Sequence, residues 1–304
     1  MNTPDPTSAT VPAPPRTAPF TADSLFPPEG PQTIGQVLDT GFRVFKISLV
    51  RCLLFGAVAM IAGQLPNIYS LAMGEPFGAY LHGDPVTVAL AVAGSVLAVY
   101  FSAVMLLRQR DVAQGGRRST RAELAHGLRR LPALIGVTAV AVFMLGIVPL
   151  LLFLSQAGAF PALSRAVVDI VAAALALPVV WALPGLAMAV AVAVLTPSGM
   201  LASLKQGLSL ALGNWWRTMI TFVVWGVLLA VLNLVAVVVL MMALPLLGAE
   251  DVITLSAITP VVFIALRAIG LPFLVAILLA VYGELLVRKQ GVDLVRRVAS
   301  VAQA

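Results

Sequence analysis

Charge, cysteine and histidine are all scarce in this chain. Of 304 residues, 11% are Asp, Glu, Lys or Arg, one is cysteine and two are histidine. Soluble globular domains carry about a quarter charged residues. With 60% hydrophobic residues and a mean hydropathy of +1.02, such a domain is excluded and a bilayer is required as solvent. The single Cys52 excludes an internal disulfide, and beside Arg51 at the start of an apolar helix it reads as a packing residue. His82 and His126 fall in loops on opposite faces, so they cannot share a metal ion, and no cofactor is expected. Gly-x-Ser-x-Gly, His-Glu-x-x-His and Gly-x-x-x-x-Gly-Lys-Ser/Thr are all missing. Gly115-Gly116 before Arg117 follows no buried strand and reads as a flexible turn. These absences point to a non-enzymatic protein.

What is present is a repeated arrangement, clearest at Ser198 to Arg217. Ser198 is the expected N-cap of an amphipathic helix. Leu201, Leu204, Leu208 and Leu212 form its apolar stripe, with Lys205 and Gln206 opposite. Gly213 and Asn214 suit a left-handed stop, and Trp215, Trp216 and Arg217 mark a membrane interface. A long apolar run follows. The same order occurs at Thr33 to Arg51 and at Ser119 to Arg130. In the first, Thr33 and Gln36 match a capping box, and Ile34, Leu38, Phe42 and Phe45 form the stripe. Each copy carries Leu-x-x-Gly, at Leu38–Gly41, Leu124–Gly127 and Leu204–Gly207. Three repeats of an interfacial helix plus a membrane hairpin follow, over about 33–107, 119–195 and 198–287.

The expected fold is therefore an all-α integral membrane protein with six transmembrane helices and three cytoplasmic amphipathic helices. Spans are expected near 48–69, 85–107, 131–154, 167–195, 219–244 and 260–287. Each is long enough for a hydrocarbon core about 30 Å thick. Residues 32–298 make the membrane domain and 299–304 a short tail. Residues 1–31 hold nine of the 21 prolines, lack a basic start followed by an apolar core, and are expected to be a disordered tail rather than a signal peptide.

The net charge of +6 and isoelectric point near 10.1 need no nucleic-acid partner. Of 19 Lys and Arg, 17 flank one face; Arg165 and Arg267 are the exceptions. Opposite loops carry Glu75, Asp84, Glu250 and Asp251. The positive-inside rule then puts both termini in the cytoplasm, as in a bacterial-type inner membrane. Seven arginines, Arg108, Arg110, Arg117, Arg118, Arg121, Arg129 and Arg130, face only Asp111 and Glu123 within 108–130. Clustered guanidinium groups beside a membrane attract anionic lipid at about 1 kcal/mol each, which makes these seven a candidate headgroup site.

Charge at membrane depth is expensive and usually has a reason. Asp169 opens the fourth span and Arg267 lies within the sixth. Asp169 pairs either with Arg165, one turn earlier, or with Arg267 across a polar cavity. The second pairing would suit a small transporter or lipid-moving protein with its site between spans four and six. Pro178, Pro184 and Gly270-Leu271-Pro272 interrupt the same two spans. That pattern marks transport sites, but simple bending also explains it.

Near the C-terminus the residues Tyr282, Glu284, Leu285, Arg288, Gly291 and Asp293 resemble the signature closing the last helix of the glycerophosphoryl diester phosphodiesterase membrane-domain family. Leu286 and Gln290 stand where that signature usually has Arg and Glu. The stretch 203–216 is also similar to that family's cytoplasmic helix before its fifth span. The resemblance covers most of residues 33–298 and implies a stand-alone membrane part, without the separate catalytic barrel. Composition, charge and resemblance together lead to a non-enzymatic membrane protein whose basic cytoplasmic face engages anionic lipid or a protein partner, a homo-oligomer included.

Overall fold

A computed structural model describes residues 25–74, 84–116, 118–159, 164–246 and 252–291. Among them are eight α-helices and no strand: α1 Ile34–Gly63, α2 Leu65–Ala72, α3 Pro85–Ala113, α4 Thr120–Gln156, α5 Arg165–Leu195, α6 Met200–Ala211, α7 Trp215–Leu246 and α8 Val252–Gln290. Six of them, all but α2 and α6, are long and apolar enough to cross a membrane. In lipid the backbone must satisfy its own polar groups, so continuous helices are what such runs form. The expected spans fall inside these helices. The first runs across a break at Gln64, because Pro66 lacks an N–H and suits a helix start.

Local chemistry sets the ends. Thr33 Oγ1 accepts from Gln36 N at 3.3 Å and Gln36 Oε1 from Thr33 N at 2.7 Å, completing the expected capping box of α1. Asp84 caps α3 ahead of Pro85, and Ser119 caps α4. The cap of α6 is Gly199, one residue later than expected. Ser198 instead puts its hydroxyl 2.9 Å from those of Thr196 and Ser203.

Of the three segments expected to be amphipathic, one is a separate helix, α6. Gly213, at φ +83°, ends it in the left-handed region that glycine tolerates. The other two run without interruption into α1 and α4, where no such stop intervenes.

The core lies toward the end of the molecule that carries the arginine-rich segment. There α3, α5 and α8 touch one another and bury Ala103–Leu107, Met188, Ala189, Ala191–Val194 and Val275–Val281 almost completely. Helix α1 packs against α3 and α8, α4 against α3 and α5, and α6 against α5. The Leu-x-x-Gly glycines sit at these seams. A Cβ on Gly41 would fall 2.5 Å from Ile277 of α8, on Gly127 3.0 Å from Val104 of α3, and on Gly207 2.3 Å from the backbone of Ala189 in α5. Small residues let membrane helices approach this closely.

The faces turned inward differ from the expected leucine stripes. In α1 they are Val37, Thr40, Gly41, Val44 and Ser48, and in α6 Ser203, Gly207, Leu210 and Ala211. Phe42, Leu201 and Leu212 are exposed. Toward the far end the helices bury little, and α7 presents Val227, Val231, Leu234 and Met242 outward. Those apolar faces suit lipid.

Residues 25–31, assigned to the disordered tail by composition, are packed in place. Leu25 N donates to Ala113 O at 2.7 Å. The buried Phe26 ring stacks on Tyr282 at 6.4 Å and 13°, over Gly283, which has no side chain to obstruct it. One aromatic ring docked into a preformed apolar site supplies what the proline-rich composition alone lacked. Residues 1–24 lie outside the described part.

Candidate functional site

The arginine-rich segment divides into two sets. Arg108, on the last turns of α3, donates from Nε to Glu123 Oε2 at 2.8 Å and from NH2 to the same oxygen at 2.5 Å. Its NH1 reaches the Arg51 carbonyl at 2.9 Å and its NH2 also reaches Thr120 Oγ1 at 2.7 Å. The guanidinium lies 4.6 Å from the centre of the Phe55 ring. Glu123 is 3% exposed. A guanidinium with four of its five N–H groups engaged and an aromatic ring beside it fixes structure rather than greeting a ligand.

Arg110 donates weakly to Leu195 O at 3.4 Å, and its buried Nε has no hydrogen-bond partner. Arg118 Nε lies 3.2 Å from Asp111 Oδ2. That oxygen is buried and makes no aligned hydrogen bond, so the pair is a charge contact only. Arg121 and Arg129 are exposed, Arg130 is half-buried, and among the described residues none of the three has a side-chain partner. Arg117 lies outside the described residues.

Between these groups is a cavity of about 410 Å³ bounded by Arg51, Arg108, Asp111, Gly116, Arg118, Thr120 and Glu123. In the sequence Arg51 only marks the start of an apolar run, where an arginine can snorkel to the interface, and Asp111 and Glu123 count only as partial balance. The signal for their convergence was weak: Arg108 and Glu123 are fifteen apart, and the turn at Gly115, φ +71°, folds one back on the other.

A second polar cluster contains the residues of the C-terminal signature. Glu284 is 3% exposed and lies 3.4 Å from Arg217 Nε; it also accepts from Arg288 Nε. Both arginines donate through NH2 to the Gln32 carbonyl, Arg288 at 3.1 Å. Gln32 Nε2 in turn donates to Thr40 at 3.0 Å. Lys289 donates to Ser209 O at 2.9 Å and to Leu212 O, satisfying carbonyls at the end of α6. Gly291, φ +57°, closes α8, and Asp293 lies outside the described residues. Tyr282, Glu284 and Arg288 therefore tie α1, α7 and α8 together around the segment at 25–32.

Asp169 and Arg267 are both exposed, and no ion pair joins either to the other or to Arg165 among the described residues. Helix α5, continuous through Pro178 and Pro184, does meet the start of α7. Pro184 leaves the Val180 carbonyl without its helical donor, and at the next carbonyl Trp215 Nε1 donates to Trp181 O at 2.8 Å. An open apolar cleft of about 760 Å³ lies there, lined by Leu177, Pro178, Trp181, Trp215 and Trp216. Its surroundings carry no cluster of ionisable groups. No protein-family model matches the chain, and no curated protein or solved structure matches it.

Proposed function

We propose that this six-span protein places its arginine-rich end at the cytoplasmic surface of the inner membrane and there engages anionic phospholipid, without catalysing a reaction. The observation that supports this is the exposed face at the start of α4. Arg121, Leu128 and Arg129 are exposed there together, Leu128 at 61%. The exposed side of α6 repeats the mixture with Leu201, Lys205 and Leu212. Cationic and apolar side chains on one helical face suit the headgroup boundary of an anionic membrane.

The proposal extends to the architecture. Gly41, Gly127 and Gly207 each meet the second helix of the preceding hairpin, with α8 serving as the one that precedes α1. The residues four before them, Val37, Glu123 and Ser203, are all buried. These relations support a ring of three repeats.

Native mass spectrometry of the protein released from its own membrane tests the lipid reading. Anionic phospholipid should remain bound, and the combined variant Arg121→Gln, Arg129→Gln, Arg130→Gln should retain on the order of a hundredfold less, at about 1 kcal/mol for each of the three charges. A protein that emerges bare, or with zwitterionic lipid in the same proportion as its membrane, overturns it.

A further inference from the structure

We infer that the cavity enclosed by α1, the end of α3 and the start of α4 is a binding site for a monoanionic phosphodiester, the group at the head of a glycerophospholipid. The inference rests on the lipid-engaging reading and identifies where that engagement becomes specific. Its volume of about 410 Å³ is room for about a dozen waters at the liquid volume of ~30 Å³ each, enough for a phosphate with a small polar substituent.

The charges in the wall select the ligand. Among the described residues of the wall, Arg51, Arg108 and Arg118 face Asp111 and Glu123, an excess of one formal positive charge. One negative charge matches it, as a phosphodiester carries, whereas a phosphomonoester near neutral pH brings close to two. Donor geometry narrows the choice further. Arg108 has little to offer, since Glu123, the Arg51 carbonyl and Thr120 hold four of its five N–H groups and leave one on NH1. Arg118 meets Asp111 in a charge contact at Nε, and among the described residues no hydrogen bond engages its NH1 and NH2 edge. The Arg51 guanidinium has none at all among the described residues. Two open guanidinium forks on one cavity suit the oxygens of a phosphate, which such forks bind through paired hydrogen bonds.

Two further features agree. The wall includes Thr120, in the first turn of α4, where the amides of Thr120 and Arg121 have no acceptor within the helix. Ser119 Oγ already accepts from Ala122, so it does not cap them. Access is from the bilayer: Val50 and Leu54, beside Arg51 on α1, are 87% and 70% exposed. Acyl chains lying on that apolar face would carry their headgroup to Arg51.

The test uses the full chain in mixed detergent–lipid micelles of phosphatidylglycerol and phosphatidylcholine, with bound lipids counted by native mass spectrometry. Wild type should be enriched in phosphatidylglycerol. Arg51→Gln and Arg118→Gln should each reduce the enrichment about tenfold, the scale of one charged hydrogen-bonded contact. Circular dichroism checks that each variant folds, and Arg118→Gln, at a half-exposed position, decides the matter should Arg51→Gln misfold. If the enrichment survives in both cavity variants but falls with Arg121→Gln, Arg129→Gln, Arg130→Gln, the site is wrong while the general lipid reading stands. No enrichment in wild type overturns both.

Competition then identifies the source of the ligand. Displacement of phosphatidylglycerol by dimethyl phosphate supports recognition of the phosphodiester alone, and so a water-soluble source. Failure of dimethyl phosphate, with the cavity variants still defective, supports the lipid as source. Inorganic phosphate displacing the lipid better than dimethyl phosphate would overturn the monoanion assignment.

Discussion

Glu123 and Glu284 each lie 3% exposed against arginines, and a carboxylate in that position costs several kcal/mol unless its charge is matched. The danger in mutating such a residue is the charge left behind. Glu284→Leu strands Arg217 and Arg288 near each other with only the Gln32 carbonyl between them. A loss of about 3 kcal/mol is expected, the lower end of the range for broken buried pairs, because the two arginine side chains keep 26% and 32% of their exposure. Glu284→Gln keeps an acceptor and should lose less. Asp39–Arg43 is the control: its 2.9 Å contact is 66% and 59% exposed, so Arg43→Ala should change stability by less than about 1 kcal/mol. Thermal unfolding of the three variants in one detergent separates these cases, and equal midpoints for Glu284→Leu and Arg43→Ala would reduce the cluster to a surface contact.

Helix contacts turn on how much a neighbour can yield, and the three seam glycines differ in that respect. At Gly207 a methyl group meets the backbone of Ala189 at 2.3 Å, which cannot move without shifting α5. At Gly41 it meets the tip of Ile277, and at Gly127 a methyl of Val104 at 3.0 Å, both parts of side chains. Overpacking costs about 1–3 kcal/mol. Gly207→Ala should fall at the upper end, Gly41→Ala below it, and Gly127→Ala near the bottom. Unfolding midpoints of the three variants test this order, and a more severe effect at Gly127 than at Gly207 would contradict the packing.

These glycines also show how far the sequence could be read. Hydropathy located the six spans, and Leu-x-x-Gly marked the seams. The inward faces were misassigned because an amphipathic stripe presumes water on the other side. In a bilayer both sides are apolar, and close approach rather than hydrophobicity selects what is buried, so Ser203 and Thr40 lie inside while Leu201 lies outside. Arg51 was missed for a related reason: snorkelling explains an arginine near a helix start, and nothing local reveals that α3 and α4 bring Arg118 to the same cavity.

At the scale of the whole molecule, the distribution of cations predicts an orientation that labelling can read directly. Among the described residues, the lysines and arginines other than Arg165 and Arg267 flank the end where α3, α5 and α8 converge, and moving them across a membrane is what the positive-inside rule disfavours. An orientation with this end in the cytoplasm also puts the Arg51–Arg118 cavity on the leaflet with the more negative surface. Cys52 is the chain's one cysteine and is fully buried, so it provides a silent background for introduced thiols. Ala122 at the start of α4 and Ala202 on α6 are exposed at the basic end; Ala72 on α2 and Ser164 before α5 are exposed at the other. In intact cells a membrane-impermeant maleimide should label Ala72→Cys and Ser164→Cys. Ala122→Cys and Ala202→Cys should react only after the membrane is permeabilised. The reverse pattern would place the basic end outside, leave the helix packing untouched, and remove the cytoplasmic leaflet as the source of any lipid bound at Arg51.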